Sequence, residues 1–359
     1  MKSLIISCVS LTCGGAEKVI SILSSKFAEH FDSVKIVMWK DAPVFYKIDE
    51  RVEITSIEKE IQSSNYLKKI LWFRKFTKQN NPSIILSFLA KSSVGVILSQ
   101  LGLKRKVIVA ERNDPRYLKG GKPMIWIRDF LYTFATGILE QTESNKHYFK
   151  GKKLSKTNVI YNPVFMDAHF VGIANHVPRK KNIVSVGRLE PQKNHSLLIN
   201  AFSEFHKKNP DYNLTIFGEG NDRAKLENQI KQLQLNNCVN LPGNTTNVFD
   251  SIKDACAFVL PSNFEGMPNA LIESMCLGIP SISTKVSGAI DLIKNEENGI
   301  LINIGSKSEL IGALERVIFN KDLSNKLSSN APKLYEQLSV DNIASHWINY
   351  LSTQLKEKP

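Results

Sequence analysis

Short apolar runs rich in β-branched residues alternate with longer amphipathic stretches along the whole chain. Runs at 4–9, 34–38, 52–57, 84–88, 107–110 and 158–161 predict strands in the first half. Runs at 183–186, 214–217, 257–260, 281–283 and 300–302 predict strands in the second. Apolar strands separated by helical segments mark parallel sheets covered by helices on both faces. The alternation restarts near Ile183, after an irregular stretch holding Asn162-Pro163 and Val177-Pro178-Arg179-Lys180-Lys181. The expected fold is therefore α/β, with two Rossmann-like, doubly wound domains at 1–165 and 166–334. Such sheets bind ligands beyond the carboxyl ends of their strands, so a cleft between the two sets of strand ends is expected.

A length of 359 residues agrees with two domains of about 150 residues each. With 42% hydrophobic and 23% charged residues, the composition is that of a soluble globular protein. Apolar runs such as 4–9 are too short to span a bilayer. Lys2 before that run imitates the start of a signal peptide. No small-residue cleavage site follows, and the run leads into Gly14-Gly15-Ala16-Glu17, so a cytoplasmic chain is expected. Cys8, Cys13, Cys238, Cys256 and Cys276 are odd in number and lack paired metal spacing, which predicts reduced thiols.

The net charge of +13 is unevenly divided. Residues 1–165 hold 27 Lys and Arg against 14 Asp and Glu, whereas 166–359 hold 20 of each. An excess confined to one half predicts a polyanionic partner: an anionic membrane surface, a lipid diphosphate or nucleic acid.

The densest chemistry lies in Pro261-Ser262-Asn263-Phe264-Glu265-Gly266-Met267-Pro268-Asn269-Ala270-Leu271-Ile272-Glu273. A strand ends at Pro261, a polar loop follows, and Pro268 reads as the first position of a helix. A helix N-terminus offers unpaired N–H groups and partial positive charge to a diphosphate. Glu265 precedes that helix and Glu273 lies inside it, so one carboxylate can face a sugar ring and the other ribose hydroxyls. Arg188 and Lys193, in Gly187-Arg188-Leu189-Glu190-Pro191-Gln192-Lys193-Asn194, follow the first strand of the second half. The chain contains no Asp-x-Asp pair that would hold a divalent metal. Two cations at a strand end can replace such a metal in stabilising a departing nucleotide diphosphate. Gly218-Glu219-Gly220 and Gly14-Gly15 also follow strands, where glycine lets a ligand approach main chain. The spacing at Gly14-Gly15 does not match the G-x-G-x-x-G fingerprint of a dinucleotide site.

In this order, these motifs resemble the retaining glycosyltransferases of family 4, with the two-domain GT-B fold. The resemblance runs from Gly14-Gly15-Ala16-Glu17 through Gly187-Arg188, Lys193-Asn194 and Gly218-Glu219-Gly220 to Glu265 and Glu273 in an E-x7-E arrangement. Ser287-Gly288-Ala289 and Asn298-Gly299-Ile300-Leu301 fit it as well. It implies that Glu265, Arg188 and Lys193 carry catalysis, the two cations gripping the donor diphosphate and Glu265 meeting the transferred sugar. Backbone N–H groups of Asn269, Ala270 and Leu271 would hold phosphate, Glu273 the ribose, and Gly218 and Glu219 would lie near the base. Gly15 would complete the donor contacts. The resemblance further implies that the acceptor binds the first domain and that a helical segment, within about 335–359, returns to pack on it. Glu111-Arg112-Asn113-Asp114-Pro115 departs from the family, many of whose members have a histidine in this loop. Arg112 and Asn113 become candidate acceptor contacts. In a front-face retaining mechanism the leaving phosphate itself can take the acceptor proton, so no protein base is required.

Residues 65–78 read as a basic amphipathic helix. Its stripe of Leu67, Ile70, Leu71, Trp72, Phe73 and Phe76 is expected to pack on the sheet. Lys68, Lys69, Arg74, Lys75 and Lys78 are expected to face anionic headgroups or a lipid diphosphate. Trp126, Ile127, Phe130, Leu131 and Phe134 form a second stripe, expected in the core. This basic helix, Phe45-Tyr46-Lys47 and 287–293 resemble bacterial enzymes that add N-acetylhexosamines to undecaprenyl-diphosphate-linked glycans. The resemblance implies a UDP-N-acetylhexosamine donor, with N-acetylgalactosamine favoured, no metal cofactor, and peripheral attachment to the inner face of the cell membrane. A UDP-sugar epimerase on the same fold is the competing enzyme reading. A basic nucleic-acid-binding protein would explain the charge alone, but leaves Arg188, Lys193, Glu265 and Glu273 without a purpose.

Overall fold

The computed structural model describes residues 2–118, 120–245 and 247–356. The chain divides into two compact units, Met1–Pro163 with Val340–Pro359, and Val164–Ser339. The charge excess of +13 stays with the first unit, because residues 340–359 add two positive and two negative charges.

In the first unit, seven strands form one parallel sheet: β1 (Ser3–Cys8), β2 (Ser33–Met38), β3 (Val52–Ser56), β4 (Ile84–Phe88), β5 (Val107–Ala110), β6 (Gly137–Glu140) and β7 (Thr157–Val159). Their order is β3-β2-β1-β4-β5-β6-β7. The sequence reverses direction between β1 and β4, and right-handed crossovers place helices leading left and right of that point on opposite faces. Helices Tyr66–Asn80, Ala90–Gln100 and Gly121–Leu131 therefore share one face, packed side by side in that order. Helix Val340–Lys356 packs against helix Gly15–Phe27 on the other. There Trp347, fully buried, stacks on Phe88 at 5.7 Å, and Asp341 pairs with Lys26 at 2.7 Å. Of the segment expected to return, the helix Leu334–Leu338 stays with the second unit and the chain joins the first at Val340; 357–359 lie outside the described residues.

The second unit contains a six-stranded parallel sheet: β8 (Lys180–Val186), β9 (Asn213–Phe217), β10 (Val239–Gly243), β11 (Ala255–Leu260), β12 (Ser281–Thr284) and β13 (Ile300–Ile302). Its order, β10-β9-β8-β11-β12-β13, turns at β8 and β11. Ile183, Ala257, Val259 and Ile282 from these strands pack with Phe202 and Phe205 from the helix His195–Lys208.

The strand expectations hold except at β6 and β10, which the apolar pattern does not reveal. Only Tyr132–Phe134 and two further residues separate β6 from a helix whose apolar stripe hides the change of period. β10 carries Pro242 and Gly243, which a sheet edge tolerates.

Three expectations about side chains on the shared helical face are corrected. Trp126, Ile127, Phe130 and Phe134 are exposed, and of that stripe only Leu131 is buried. The helix turns Arg128 inward instead, where it donates to Pro115 and Asp129 and lies over Tyr148. Leu67 and Leu71 are likewise exposed, while Phe73 packs inside. Lys69 is buried against Glu58 at 2.5 Å, and Arg74 donates to the carbonyls of Ser99 and Leu101 at 2.7 and 2.8 Å. Neither cation belongs to the solvent face; Lys68, Lys75 and Lys78 do.

Candidate functional site

β8 and β11 are neighbours at the point where the second sheet's order turns, so the loops leaving their carboxyl ends lie side by side. The first carries Arg188 and Lys193, the second Glu265. Backbone and amide bonds lock the loops together. Asn263 N–H donates to Gln192 C=O at 2.8 Å, the Asn263 amide to Pro191 C=O at 2.8 Å, and Asn194 to Asn263 Oδ1 at 3.1 Å.

Within this frame Lys193 Nζ meets Glu265 Oε1 at 2.6 Å, with 15% and 7% of the two side chains exposed. Ser262 Oγ donates to the same oxygen at 2.6 Å, and Gln192 reaches Oε2 at 3.4 Å while holding the Phe264 carbonyl at 3.0 Å. Glu265 is thus a buried carboxylate fixed by three donors, which charge-assisted hydrogen bonds make rigid. Ser262 and Gln192 were not among the residues expected at the site. Both lie inside the two motifs, but their role depends on the pairing of β8 with β11.

Arg188 does not join this pair. It meets Glu190 at 3.1 Å with 63% of its side chain exposed, and an open pair of this kind is worth at most about 1 kcal/mol and is readily exchanged for another anion. Beside it, His195 is buried, and burial followed by the nearby Lys193 charge pulls its imidazole down to about 4. It is therefore neutral near pH 7.

Gly218 and Glu219, after β9, adjoin the Arg188 loop. Gly218 N–H donates to Gly243 and Leu189 N–H to Glu219 C=O, at 2.8 and 2.9 Å. The Glu219 side chain turns away to Arg223 at 2.6 Å. Helix Asn269–Leu277 begins after Pro268, so Asn269 and Ala270 open its first turn and Glu273 lies one turn in, half-buried. Leu271 is corrected as a phosphate donor: its N–H is already given to the Pro268 carbonyl at 3.0 Å, and its side chain is in the core. Gly288 packs against the other end of this loop, a Cβ there falling 2.4 Å from the Gly266 carbonyl. Arg188, Lys193, Glu265, Gly218, Glu219, Asn269, Ala270 and Glu273 thus share the carboxyl edge of one sheet. Among the described residues, no three His, Cys, Asp or Glu side chains converge as metal ligands.

Gly15, exposed at the head of its helix after β1, belongs to the first unit. Tyr46 O–H donates to the neighbouring Gly14 carbonyl at 3.2 Å. Arg112 and Asn113 follow β5 in the same unit. Arg112 donates to Asn162 and lies over Phe88, and loss of water around its guanidinium pulls it down to about 9. Asn113 Oδ1 accepts from Asp114 N–H at 3.0 Å.

Next to them is a polar cluster that sequence reasoning passed over. Glu111 accepts from Tyr132 O–H at 2.5 Å, and Glu140, 1% exposed at the end of β6, has both carboxyl oxygens without a hydrogen-bond partner. Burial, reinforced by Glu111, pushes Glu140 well above its ordinary 4.5. Below that ordinary value the carboxyl is protonated folded and unfolded alike. As pH rises past it, only the unfolded chain releases its proton, so the contribution to stability falls by about 1.4 kcal/mol per unit of displacement. Glu140→Gln is therefore expected to raise the unfolding temperature by several degrees at about pH 8 and hardly at all at about pH 4. Thermal unfolding across pH checks this.

The family described as "Glycosyl transferases group 1" matches residues 171–334. Residues 171–334 thus form a glycosyltransferase group 1 domain. The enzyme is 27% identical over 356 residues to the Campylobacter jejuni "GalNAc-alpha-(1->4)-GalNAc-alpha-(1->3)-diNAcBac-PP-undecaprenol alpha-1,4-N-acetyl-D-galactosaminyltransferase", covering 96% of each chain. A second Campylobacter jejuni relative, "N-acetylgalactosamine-N,N'-diacetylbacillosaminyl-diphospho-undecaprenol 4-alpha-N-acetylgalactosaminyltransferase", is 27% identical over 98% of this chain and 100% of its own. Among solved structures, the lipopolysaccharide outer core galactosyltransferase WaaB superposes with a TM-score of 0.79 at 22% identity, covering 99% and 100% of the two chains. Anabaena HepE in complex with UDP gives a TM-score of 0.79 at 19% identity over 98% and 100%. At these identities the structures show the fold: each unit of the glycosyltransferase is one Rossmann-like half of the GT-B architecture.

Proposed function

We propose that the enzyme transfers N-acetylgalactosamine from UDP-N-acetylgalactosamine, with retention of configuration, to a lipid-diphosphate-linked glycan during bacterial surface polysaccharide or glycan assembly. The buried Lys193–Glu265 pair beside the open Arg188 carries this reading. Two such cations would neutralise the charge of a leaving diphosphate, and one fixed carboxylate would orient the hydroxyls of a sugar. Full-length similarity to two galactosaminyltransferases named for undecaprenol-linked substrates supports the donor sugar and acceptor class. Solved UDP complexes of the same fold support the nucleotide.

In this mechanism Arg188 exchanges Glu190 for the donor diphosphate, and Lys193 bridges the diphosphate and Glu265. The first-turn N–H groups of Asn269 and Ala270 add the positive end of their helix, Glu273 accepts from the ribose, and Gly218 and Glu219 bring main chain to the base. Gly15 offers bare main chain to substrate. The bond from the anomeric carbon to phosphate oxygen breaks as the acceptor oxygen bonds on the same face, and the acceptor proton goes to the departing phosphate. The cations supply the stabilisation that a divalent metal would otherwise give, so transfer proceeds without one. The first unit, with Arg112 and Asn113, takes the acceptor, and the second takes the donor. Reading products by mass from UDP-, GDP- and ADP-sugars on lipid-diphosphate acceptors tests the proposal. One sugar from one UDP donor is expected, while turnover of free UDP-sugar without acceptor would favour an epimerase.

The enzyme works at the inner face of the cell membrane, with anionic lipid rather than nucleic acid as the partner of its basic unit. Lys68, Lys75 and Lys78 point from one helix into solvent with no acidic residue on that helix. Each cation near an anionic surface contributes about 1 kcal/mol. Replacing all three with alanine is expected to weaken binding to phosphatidylglycerol vesicles about a hundredfold at low salt, with donor affinity unchanged. Vesicle co-sedimentation and UDP titration check both halves.

A further inference from the structure

Trp126, Phe130 and Phe134 recur at a spacing of four, which places them along one side of the helix Gly121–Leu131 and the turn that extends it. Core burial would be the ordinary fate of such a stripe. Instead 79% of Trp126, 66% of Phe130 and 55% of Phe134 are exposed, with 47% of Ile127 beside them. Phe130 and Phe134 meet edge to face at 5.6 Å. Arg128 occupies the inward side, so the aromatic side has no place in this unit's core.

These residues are not isolated. The helices Tyr66–Asn80, Ala90–Gln100 and Gly121–Leu131 cover the same side of the sheet, and the outermost two both turn apolar side chains outward. Leu67 is 70% exposed and Leu71 66%. Between them Leu101, 39% exposed, lines one depression with Phe134. The second unit exposes only Ile290, Ile304 and Phe319 among its described large apolar residues, two on different helices and Ile304 in a turn. Apart from Val44, Phe45, Ile54 and Tyr117, the exposed large apolar residues described in the first unit lie on these helices or at their ends, and such a concentration marks an interaction surface.

Charge identifies what that surface meets. The three helices hold eight Lys and Arg, and their sole acidic residue, Asp129, is bonded to Arg128. Lys68, Lys75, Lys78, Lys104 and Lys122 are exposed around the apolar residues. Apolar and aromatic side chains ringed by lysines suit the interface of an anionic bilayer, where indole and phenyl rings enter the headgroup boundary while ammonium groups meet phosphates. A second copy of this chain would bring equally basic faces together.

We infer that Trp126, Ile127, Phe130 and Phe134, with Leu67 and Leu71, form a membrane-inserting face, so that the first unit docks by apolar insertion as well as by charge. The inference extends the membrane contact proposed above, and its test does not require sugar transfer. Trp39 and Trp347 are buried and Trp72 is half-buried, so Trp126 is the tryptophan most sensitive to a new solvent. Tryptophan emission of the full chain should shift to the blue when phosphatidylcholine–phosphatidylglycerol vesicles are added. Trp126→Phe should remove most of the shift while preserving partition. Combined Trp126→Ser, Phe130→Ser and Phe134→Ser should weaken partition at least about tenfold, with UDP binding unchanged as proof of folding. That variant should keep transfer to an acceptor with a short water-soluble lipid and lose it towards acceptor held in vesicles. Unchanged emission, equal partition of the triple variant, or self-association that buries Trp126 without vesicles would overturn the inference. Insertion in a protein that transfers sugar to neither acceptor would leave it standing and defeat the acceptor reading instead.

Discussion

Glu265→Gln is expected to slow sugar transfer about a hundredfold to a thousandfold while the protein still folds and still binds UDP. The substitution keeps the shape of a buried side chain but replaces one oxygen by an N–H donor. In the native site Ser262 Oγ and Lys193 Nζ both donate to Oε1 at 2.6 Å, and Gln192 approaches Oε2. A glutamine can satisfy part of this set only by turning its amide nitrogen away from Lys193. It then loses the charge that orients the lysine and the acceptor that would hold a sugar hydroxyl. Lys193→Met attacks the same pair from the other side with a different signature. It leaves the Glu265 carboxylate buried beside an apolar chain, and breaking a buried ion pair in this way costs about 3–5 kcal/mol of stability. It also removes a cation from the proposed diphosphate site, so donor affinity is expected to fall as well as rate. The double variant should regain much of the stability and none of the transfer, because the uncompensated charge is gone but both functions are missing. Arg188→Ala is the comparison within the same loop. Its partner Glu190 is solvent-accessible, so stability should hardly change while donor affinity falls, a charge-assisted hydrogen bond being worth about 1.5–3 kcal/mol. Thermal unfolding, UDP-sugar titration and steady-state kinetics on the four variants separate these effects. Wild-type turnover in Glu265→Gln would make the carboxylate a fastening of its loop and nothing more.

What could be read from the chain, and what could not, follows the reach of each physical signal. Strands buried on both faces appear as unbroken apolar runs, which is why eleven strands were visible. β6 vanished beside the aromatic helix, and β10 was masked by Pro242 and Gly243. Arg188, Lys193, Glu265 and Glu273 stand out as candidates because each lies in a compact motif. Their arrangement does not, since Lys193 and Glu265, 72 residues apart, meet only because β8 and β11 are neighbours. Periodicity failed in a different way on the helical face of the first unit. A spacing of four says which residues share a side, but not which side faces inward. Arg128, flanked by Asp129 and roofed by Tyr148, took the interior that the aromatic stripe was expected to fill. Lys69 was placed with Lys68 by adjacency, but Glu58 from the helix Ile57–Ile61 draws it under the surface.

Gly218→Ala should abolish donor binding without touching a charged group. Gly218 has φ +140, a conformation that side chains rarely adopt, and a Cβ there would lie 2.0 Å from the carbonyl oxygen of Gly187. That neighbour is main chain, held by the bond from Gly187 N–H to Phe217 at 2.9 Å, so it cannot swing aside as a flexible side chain would. The backbone strain and the forced displacement together cost about 3 kcal/mol or more. The strain falls on one loop, because Gly187 leads directly to Arg188 and Leu189 is bonded to Glu219. Moving Gly187 by the ångström needed to admit a methyl group carries Arg188 with it, and misplacement on that scale is enough to cost two orders of magnitude in rate. Gly312→Ala supplies the contrast. Gly312 sits within the helix Lys307–Phe319 with nothing within 4 Å of its added Cβ, so alanine there is expected to stabilise by about 0.5–1 kcal/mol. Unfolding measurements should move in opposite directions for the two substitutions, with UDP-sugar binding lost in the first and kept in the second. Gly218→Ala with normal donor affinity would mean that the Arg188 loop tolerates displacement, and would remove the main reason for placing the diphosphate against it.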